Sequence, residues 1–324
     1  MKEKILDILV CPICKGKPIF RERKLVLCPD CKRSFVVKDG IISFINYNDS
    51  FYEGKFTESY DLDKKFNFSL LKPFKYIYNL ISVDKSRERF FRKNLNRRNQ
   101  MILDIGCGGG WKDLTEFGKV IGVDVSIKSL KNASKFYDLV IQADILKLPF
   151  SDNTFDVVFS SDVIGHIPFD DKQILISEIY RVTKKGGKSI HSVECDSNSL
   201  FYKWAKKYPD LFQKYFIEMY GHFGLELPTK VFERFRKVGF IPLIKKADPC
   251  KGYIRPIESY LVFFNNEYKN KSIFVKYFIS SLNTLLKIKS LKYIINFLLG
   301  FFIPLSDLVI PVNHRDSVKI CLIK

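Results

Sequence analysis

Short apolar runs that close on acidic or small residues mark the middle of the chain. "MILDI" (101–105), "KVIGVDVS" (119–126) and "FDVVFSS" (155–161) are too dense in Ile, Val, Leu and Phe for half-exposed strands. They predict strands covered on both faces. A further run closes at Asp144, and "KSIHSVE" (188–194) follows a Lys-Gly-Gly turn. Just before that turn, "ISEIYRV" spaces its apolar residues as one face of a helix. Farther on, "GFIPLIKKAD" and "DSVKICLIK" predict two more strands with about 60 residues inserted between them. Strands alternating with helices predict an α/β sheet flanked by helices. Ahead of this core, "LVL" and "FVV" (25–27 and 35–37) predict a small β unit. The pattern divides the chain into residues 1–45, a helical linker or lid over 46–100, a core over 101–250, and a helical insertion with the final strand over 251–324.

Cysteine spacing gives the β unit its chemistry. Cys11, Cys14, Cys28 and Cys31 follow C-x2-C-x13-C-x2-C, which lets two tight turns aim four thiolates at one zinc ion. With all four positions cysteine, no site is open for a catalytic water, so the zinc is structural. A redox role for the pairs is the competing reading. The remaining cysteines, Cys107, Cys195, Cys250 and Cys321, show no pairing pattern; this usage fits a reducing, cytoplasmic setting. No secretory signal is predicted, since "ILDILV" is short and holds Asp7. The segment 1–45, including "DGI" after the last pair, resembles the zinc-ribbon family of the small partner protein that activates several tRNA and translation-factor methyltransferases. The resemblance implies a protein-binding surface on a ribbon that is here fused to its own catalytic domain.

After "MILDI" comes "GCGGGW", a turn in which Gly106, Gly108 and Gly110 admit close approach of a ligand. Twenty residues past Asp104, a second strand ends in Asp124, placed to accept hydrogen bonds from ribose hydroxyls. Trp111 stands where a dinucleotide fingerprint needs its third glycine, and no phosphate-loop motif is present. The ordered set of strand ends resembles class I S-adenosylmethionine-dependent methyltransferases, particularly the ubiquinone and menaquinone biosynthesis type, over about 101–195 and again at "GHFGLELPTKVFERFRKVGF". That resemblance implies a Rossmann-like seven-stranded sheet and S-adenosyl-L-methionine as cofactor. Gly106, Gly108 and Gly110 would wrap the methionine part and Asp124 the ribose, with Val125 beside the adenine. Asp144 and Ile145 would read the adenine edge, and Ser160 would lie near the methionine. The helix after Gly110 is about a turn shorter than the family's.

Net charge adds a question about the acceptor. The total is +19, yet residues 101–195 sum to −2 while 196–324 carry +11. Basic flanks fit an anionic acceptor or docking surface; a Lys-, Asn- and Ile-rich composition explains them equally. The acceptor class that the resemblance and the greasy insertion favour is a small or lipid-linked metabolite. RNA, bound through the ribbon and the basic flanks, is the alternative, and a non-catalytic partner-binding module is a third. The insertion's stretch from Tyr293 to Pro311 nears bilayer-spanning length but is broken by Asn296, Pro304 and Asp307. A capping subdomain and an interfacial helix pair on anionic lipid both fit it. His166 and His222 are the candidate catalytic residues, with His191 behind them; each has an ordinary structural reading too.

Overall fold

The computed structural model describes residues 6–21, 24–45, 52–53, 77, 86–95, 99–247, 273–286 and 310–324. Eleven strands form one sheet: β1 (Ile19–Arg21), β2 (Leu25–Leu27), β3 (Ser34–Lys38), β4 (Ile41–Ser43), β5 (Gln100–Ile105), β6 (Gly118–Asp124), β7 (Leu139–Gln142), β8 (Phe155–Ser161), β9 (Thr183–Glu194), β10 (Ile241–Ala247) and β11 (Ser317–Ile323). Their spatial order is β1-β2-β3-β4-β7-β6-β5-β8-β9-β11-β10. The last seven of these are the expected core, parallel from β7 to β9, with β11 inserted antiparallel between β9 and β10. Strand order reverses at β5, which pairs with β6 on one side and β8 on the other. Ligands settle at such a switch point, beyond the carboxyl ends of the strands.

Both faces are covered, which is why the core strands read as unbroken apolar runs. On one face lie α1 (Ser86–Asn94) and α2 (Ile127–Ala133), where Phe90, Phe91, Trp111, Leu130 and Tyr137 pack on Ile102, Val120, Val157 and Phe159. On the other lie α3 (Lys172–Val182) and, after the short helices α4 (Leu200–Ala205) and α5 (Pro209–Phe212), α6 (Pro228–Lys237). Leu175, Ile179, Phe232 and Phe235 there meet Leu103, Val158, Val193 and Ile320. The Lys-Gly-Gly turn lies within β9 as an irregularity: pairing with β8 jumps from Thr183 to Lys188. Gly186, at φ +75°, donates a backbone N–H hydrogen bond of 2.9 Å to the Lys324 carbonyl. Most of the insertion, including residues 293–309, lies outside the described residues, as does most of the 46–100 linker. Of the insertion, α7 (Ile273–Leu286) is described and exposes Ile273, Phe274 and Tyr277. Among the described residues no helix is long and apolar enough to cross a membrane.

The cysteine-rich unit continues the sheet. β4 pairs in parallel with β7, Ile42 opposite Ile141 and Ser43 opposite Gln142. A second seam joins residues 8–10 to 149–151: Val10 N–H donates to the Pro149 carbonyl (3.0 Å) and Ser151 N–H to that of Ile8 (2.9 Å). Leu9, Val26, Phe35, Ile42 and Phe44 share one apolar cluster with Ile121, Ile141 and Phe150. The small unit cannot bury enough apolar surface alone; it borrows the core's edge, and that edge is no longer open to other chains. One cooperative unfolding transition should therefore include both parts, and stripping zinc with a chelator should lower its midpoint. Circular dichroism melts with and without chelator check this; a core melting at an unchanged temperature would contradict it.

Candidate functional site

The four thiols lie together. Cys11 and Cys31 Sγ atoms are 3.7 Å apart and those of Cys14 and Cys28 3.4 Å, with all four within 4.8 Å of one another. A tetrahedron of Zn–S bonds near 2.3 Å sets sulfurs about 3.8 Å apart, so the cluster fits a closed structural zinc site.

At the switch point, Gly106, Gly108 and Gly110 all take positive φ (62°, 53° and 81°). A Cβ on Gly106 would sit 2.6 Å from a methyl of Val163, and one on Gly110 would strike the Phe136 ring at 2.8 Å; side chains are barred by conformation and by space. Two carboxylates fix this turn. Asp124 Oδ2 accepts from Gly108 N–H and Oδ1 from Ser126 N–H, both at 2.8 Å. Asp104 Oδ2 accepts from the Tyr137 hydroxyl at 2.7 Å, and that hydroxyl accepts from Trp111 N–H at 2.7 Å. Burial pushes the Asp104 carboxyl up to about 7, against the Tyr137 hydrogen bond and with help from the Asp124 charge. Burial also raises Asp124, opposed by the amides of Ser126, Gly108 and Val125, while nearby Glu53 adds to the rise. After the turn the chain enters a 3-10 helix of 6 residues, Lys112–Phe117, as short as the sequence implies.

Asp144 caps a 3-10 turn, accepting from Leu146 N–H at 2.9 Å, with Ile145 buried beside it. Val125 is held from below: Gln142 Nε2 donates to its carbonyl (2.8 Å) while Gln142 Oε1 accepts from Ser43 of β4 (2.7 Å). Gly106, Gly108, Gly110, Asp104, Asp124 and Val125 thus come together around one turn. A polar acid at the mouth of a side-chain-free turn fits an adenosyl cofactor. Ser160 follows Phe159, the partner of Asp104 across β5 and β8, but its side chain turns to the other face. It is fully buried, with Oγ 2.7 Å from His191 Nδ1, on the face that carries Phe235 rather than the one that carries Asp104. His191 itself is clasped between Ser160 and Ser189, stacked on Phe235, and burial lowers it to about 3. It is a neutral element of the core.

His166 and His222 do meet, around a residue the sequence reading passed over. Glu194, the last residue of β9, places Oε2 2.7 Å from His222 Nε2 and 3.5 Å from His166 Nε2. The two imidazoles pack edge to face at 5.0 Å. Burial lowers His166 while Glu194 opposes the shift. Glu194 ends an apolar strand just as Asp124 ends its own, and that signal was available in "SIHSVE". Tyr52 touches His166 edge-on at 6.0 Å, and Glu53 accepts from Lys128 N–H at 3.2 Å next to Asp124, so residues 52–53 connect the two poles of the site.

Residues 103–191 match the family described as Methyltransferase domain, and residues 2–40 match the family described as Trm112p-like protein. The chain is thus similar to a methyltransferase domain over 103–191 and to a Trm112p-like protein over 2–40. The uncharacterized protein MJ0638 of Methanocaldococcus jannaschii is 38% identical over 100 residues, 31% of this chain and 43% of that protein. The malonyl-[acyl-carrier protein] O-methyltransferase of Erwinia billingiae is 29% identical over 165 residues, 48% of this chain and 65% of that enzyme. The chain therefore spans less than two thirds of either relative. Among solved structures, phosphoethanolamine N-methyltransferase 2 of Haemonchus contortus with S-adenosyl-L-methionine aligns at 21% identity and a TM-score of 0.45, over 77% of this chain and 56% of that one.

Residues 103–191 carry two buried groups with opposite linkage. Asp104, raised from 3.8 to about 7, makes the fold lose stability as pH climbs between those values, because the folded state holds the extra proton. His191, lowered from 6.5 to about 3, makes it gain stability as pH climbs from about 3 to 6.5. Each slope reaches about 1.4 kcal/mol per pH unit at most, so their contributions offset near pH 5. Asp104→Asn should tilt the stability–pH curve upward relative to the parent between pH 4 and 6.5. Urea titrations at stepped pH measure this, and parallel curves for the two proteins would refute it.

Proposed function

We propose that this chain is an S-adenosylmethionine-dependent methyltransferase whose acceptor is a small or lipid-linked metabolite. The observation that carries the reading is the glycine turn at the switch point, its middle amide held by Asp124. When bound, the cofactor supplies an electrophilic methyl group. The chain's own residues hold and orient. Asp124 would grip the ribose, the backbone of residues 106–110 the methionine part, and Val125, Asp144 and Ile145 the adenine side. The pole at His166, Glu194 and His222 would receive the acceptor, with Tyr52 closing over it. In-line transfer depends chiefly on such alignment in a site that excludes water.

Several features support an apolar acceptor. Met219, Tyr220 and Phe223 are exposed around His222, and α7 exposes Ile273, Phe274 and Tyr277. Relatives named sterol 4-C-methyltransferase in Caenorhabditis elegans and demethylmenaquinone methyltransferase in Lactiplantibacillus plantarum accord with that class. The ribbon's role in this reading is to brace the cofactor edge from within the chain, through Ser43, Gln142 and Val125. Through β4 and residues 8–10 it lies against the chain's own core sheet.

Calorimetry with S-adenosyl-L-methionine and its demethylated product tests the cofactor assignment. Binding should be measurable for the parent protein and roughly 10- to 100-fold weaker for Asp124→Ala, the cost of losing charge-assisted hydrogen bonds; no heat from folded parent protein defeats the reading. Radiolabelled methyl groups should enter the lipid or small-molecule fraction of a cell extract and leave RNA unlabelled. His166→Ala and His222→Ala should each lower turnover roughly 10²-fold at saturating cofactor if they handle the acceptor or its proton. Full turnover in both variants removes them from the acceptor site.

A further inference from the structure

Outside the ribbon, one other cluster among the described residues has the composition of a metal site. His166, Glu194 and His222 each offer one ligand atom, and all three atoms lie within 4.8 Å of one another. They come from three separate places in the fold: the 3-10 turn Ile164–His166 after β8, the carboxyl end of β9, and the loop after the π-helical stretch Gln213–Glu218. Packing converges them closely. A Cβ on Gly165 would lie 3.1 Å from Glu194 Cβ, and Gly224 N–H donates to the Gly165 carbonyl at 3.1 Å. A Cβ on Gly224 would come within 1.7 Å of the Ile167 carbonyl oxygen. The fully buried Lys172 donates to the Gly224 carbonyl and sits 3.6 Å from Glu226, which pins the loop bearing His222 onto the turn bearing His166.

We propose that His166, Glu194 and His222 form a two-histidine, one-carboxylate site for a divalent first-row transition cation at the acceptor pole. Such a set favours these metals and leaves coordination positions open. Ligand atoms around one such ion stand roughly 3 Å apart, and the His222–Glu194 and His166–Glu194 separations of 2.7 and 3.5 Å bracket that value. His222 is also oriented as a ligand needs. Its Nδ1 donates to the Phe216 carbonyl oxygen at 2.9 Å, which fixes the ring and leaves Nε2 as the nitrogen that would face an ion beside Glu194. Tyr220 stacks on the same ring at 5.5 Å and holds its plane. The cation site stands on this geometry alone. Its use, to hold an acceptor oxygen on an open position, rests on the reading above that the acceptor meets the cofactor at this pole.

The test uses the full chain with its ribbon already loaded with zinc. Equilibrium dialysis against Co2+ should add one further equivalent per chain, with the weak visible bands of nitrogen and oxygen ligands and none of the intense absorption of cobalt–thiolate bonds. His222→Gln and Glu194→Gln, each checked for an intact melting transition, should lose that equivalent or bind it at least ten-fold more weakly. Failure of the folded parent protein to take up a second ion overturns the proposal without touching the methyltransferase reading, which cofactor calorimetry tests separately. Uptake that survives both substitutions overturns it as well, because the ion would then lie elsewhere.

Discussion

The hydrogen bond from Gly108 to Asp124 ties the ligand end of the sheet together. The glycine turn strings three residues at positive φ along one short connection, a conformation that side-chain-bearing residues rarely take and that glycine pays for in chain entropy. Asp124 holds the turn from the β6 side, and the Asp104–Tyr137–Trp111 chain holds it from beneath. Both acids are buried enough to be raised, and both are stabilised by amide or hydroxyl donors. The turn's shape therefore rests on two buried carboxylates and the donors that face them.

The ribbon adds a third support. Its last strand completes the β7 edge, and Ser43 reaches Val125 through the single side chain of Gln142. Placement matters here. The ribbon lies on the side of β7 and β6, where the cofactor's nucleoside would sit, and β5 separates these strands from β8 and β9, which lead to the His166, Glu194 and His222 cluster. The ribbon's four strands buttress the opposite half of the sheet.

Local features were legible in the sequence and convergent ones were not. The core strands, the glycine turn, the strand-end acids and the cysteine spacing are short-range patterns, and each recurs where it was read. Pairing of β4 with β7 joins segments about a hundred positions apart, and no local periodicity encodes that choice. Ser160 shows the same limit within one strand. Phe159 and Ser160 are neighbours on opposite faces, and only the packing of α1 and α6 shows that the serine turns to His191. His166 and His222 could be singled out as rare histidines, whereas their meeting over Glu194 depends on glycines whose role emerges only in three dimensions.

Covalent continuity between the ribbon and the strand it caps has a kinetic meaning. Were β4 supplied by a separate molecule, the bracing of Val125 would follow the concentration of that molecule and fall away on dilution. In one polypeptide the encounter is intramolecular, at an effective concentration set by the linker rather than by expression. Stoichiometry is fixed at one ribbon per sheet.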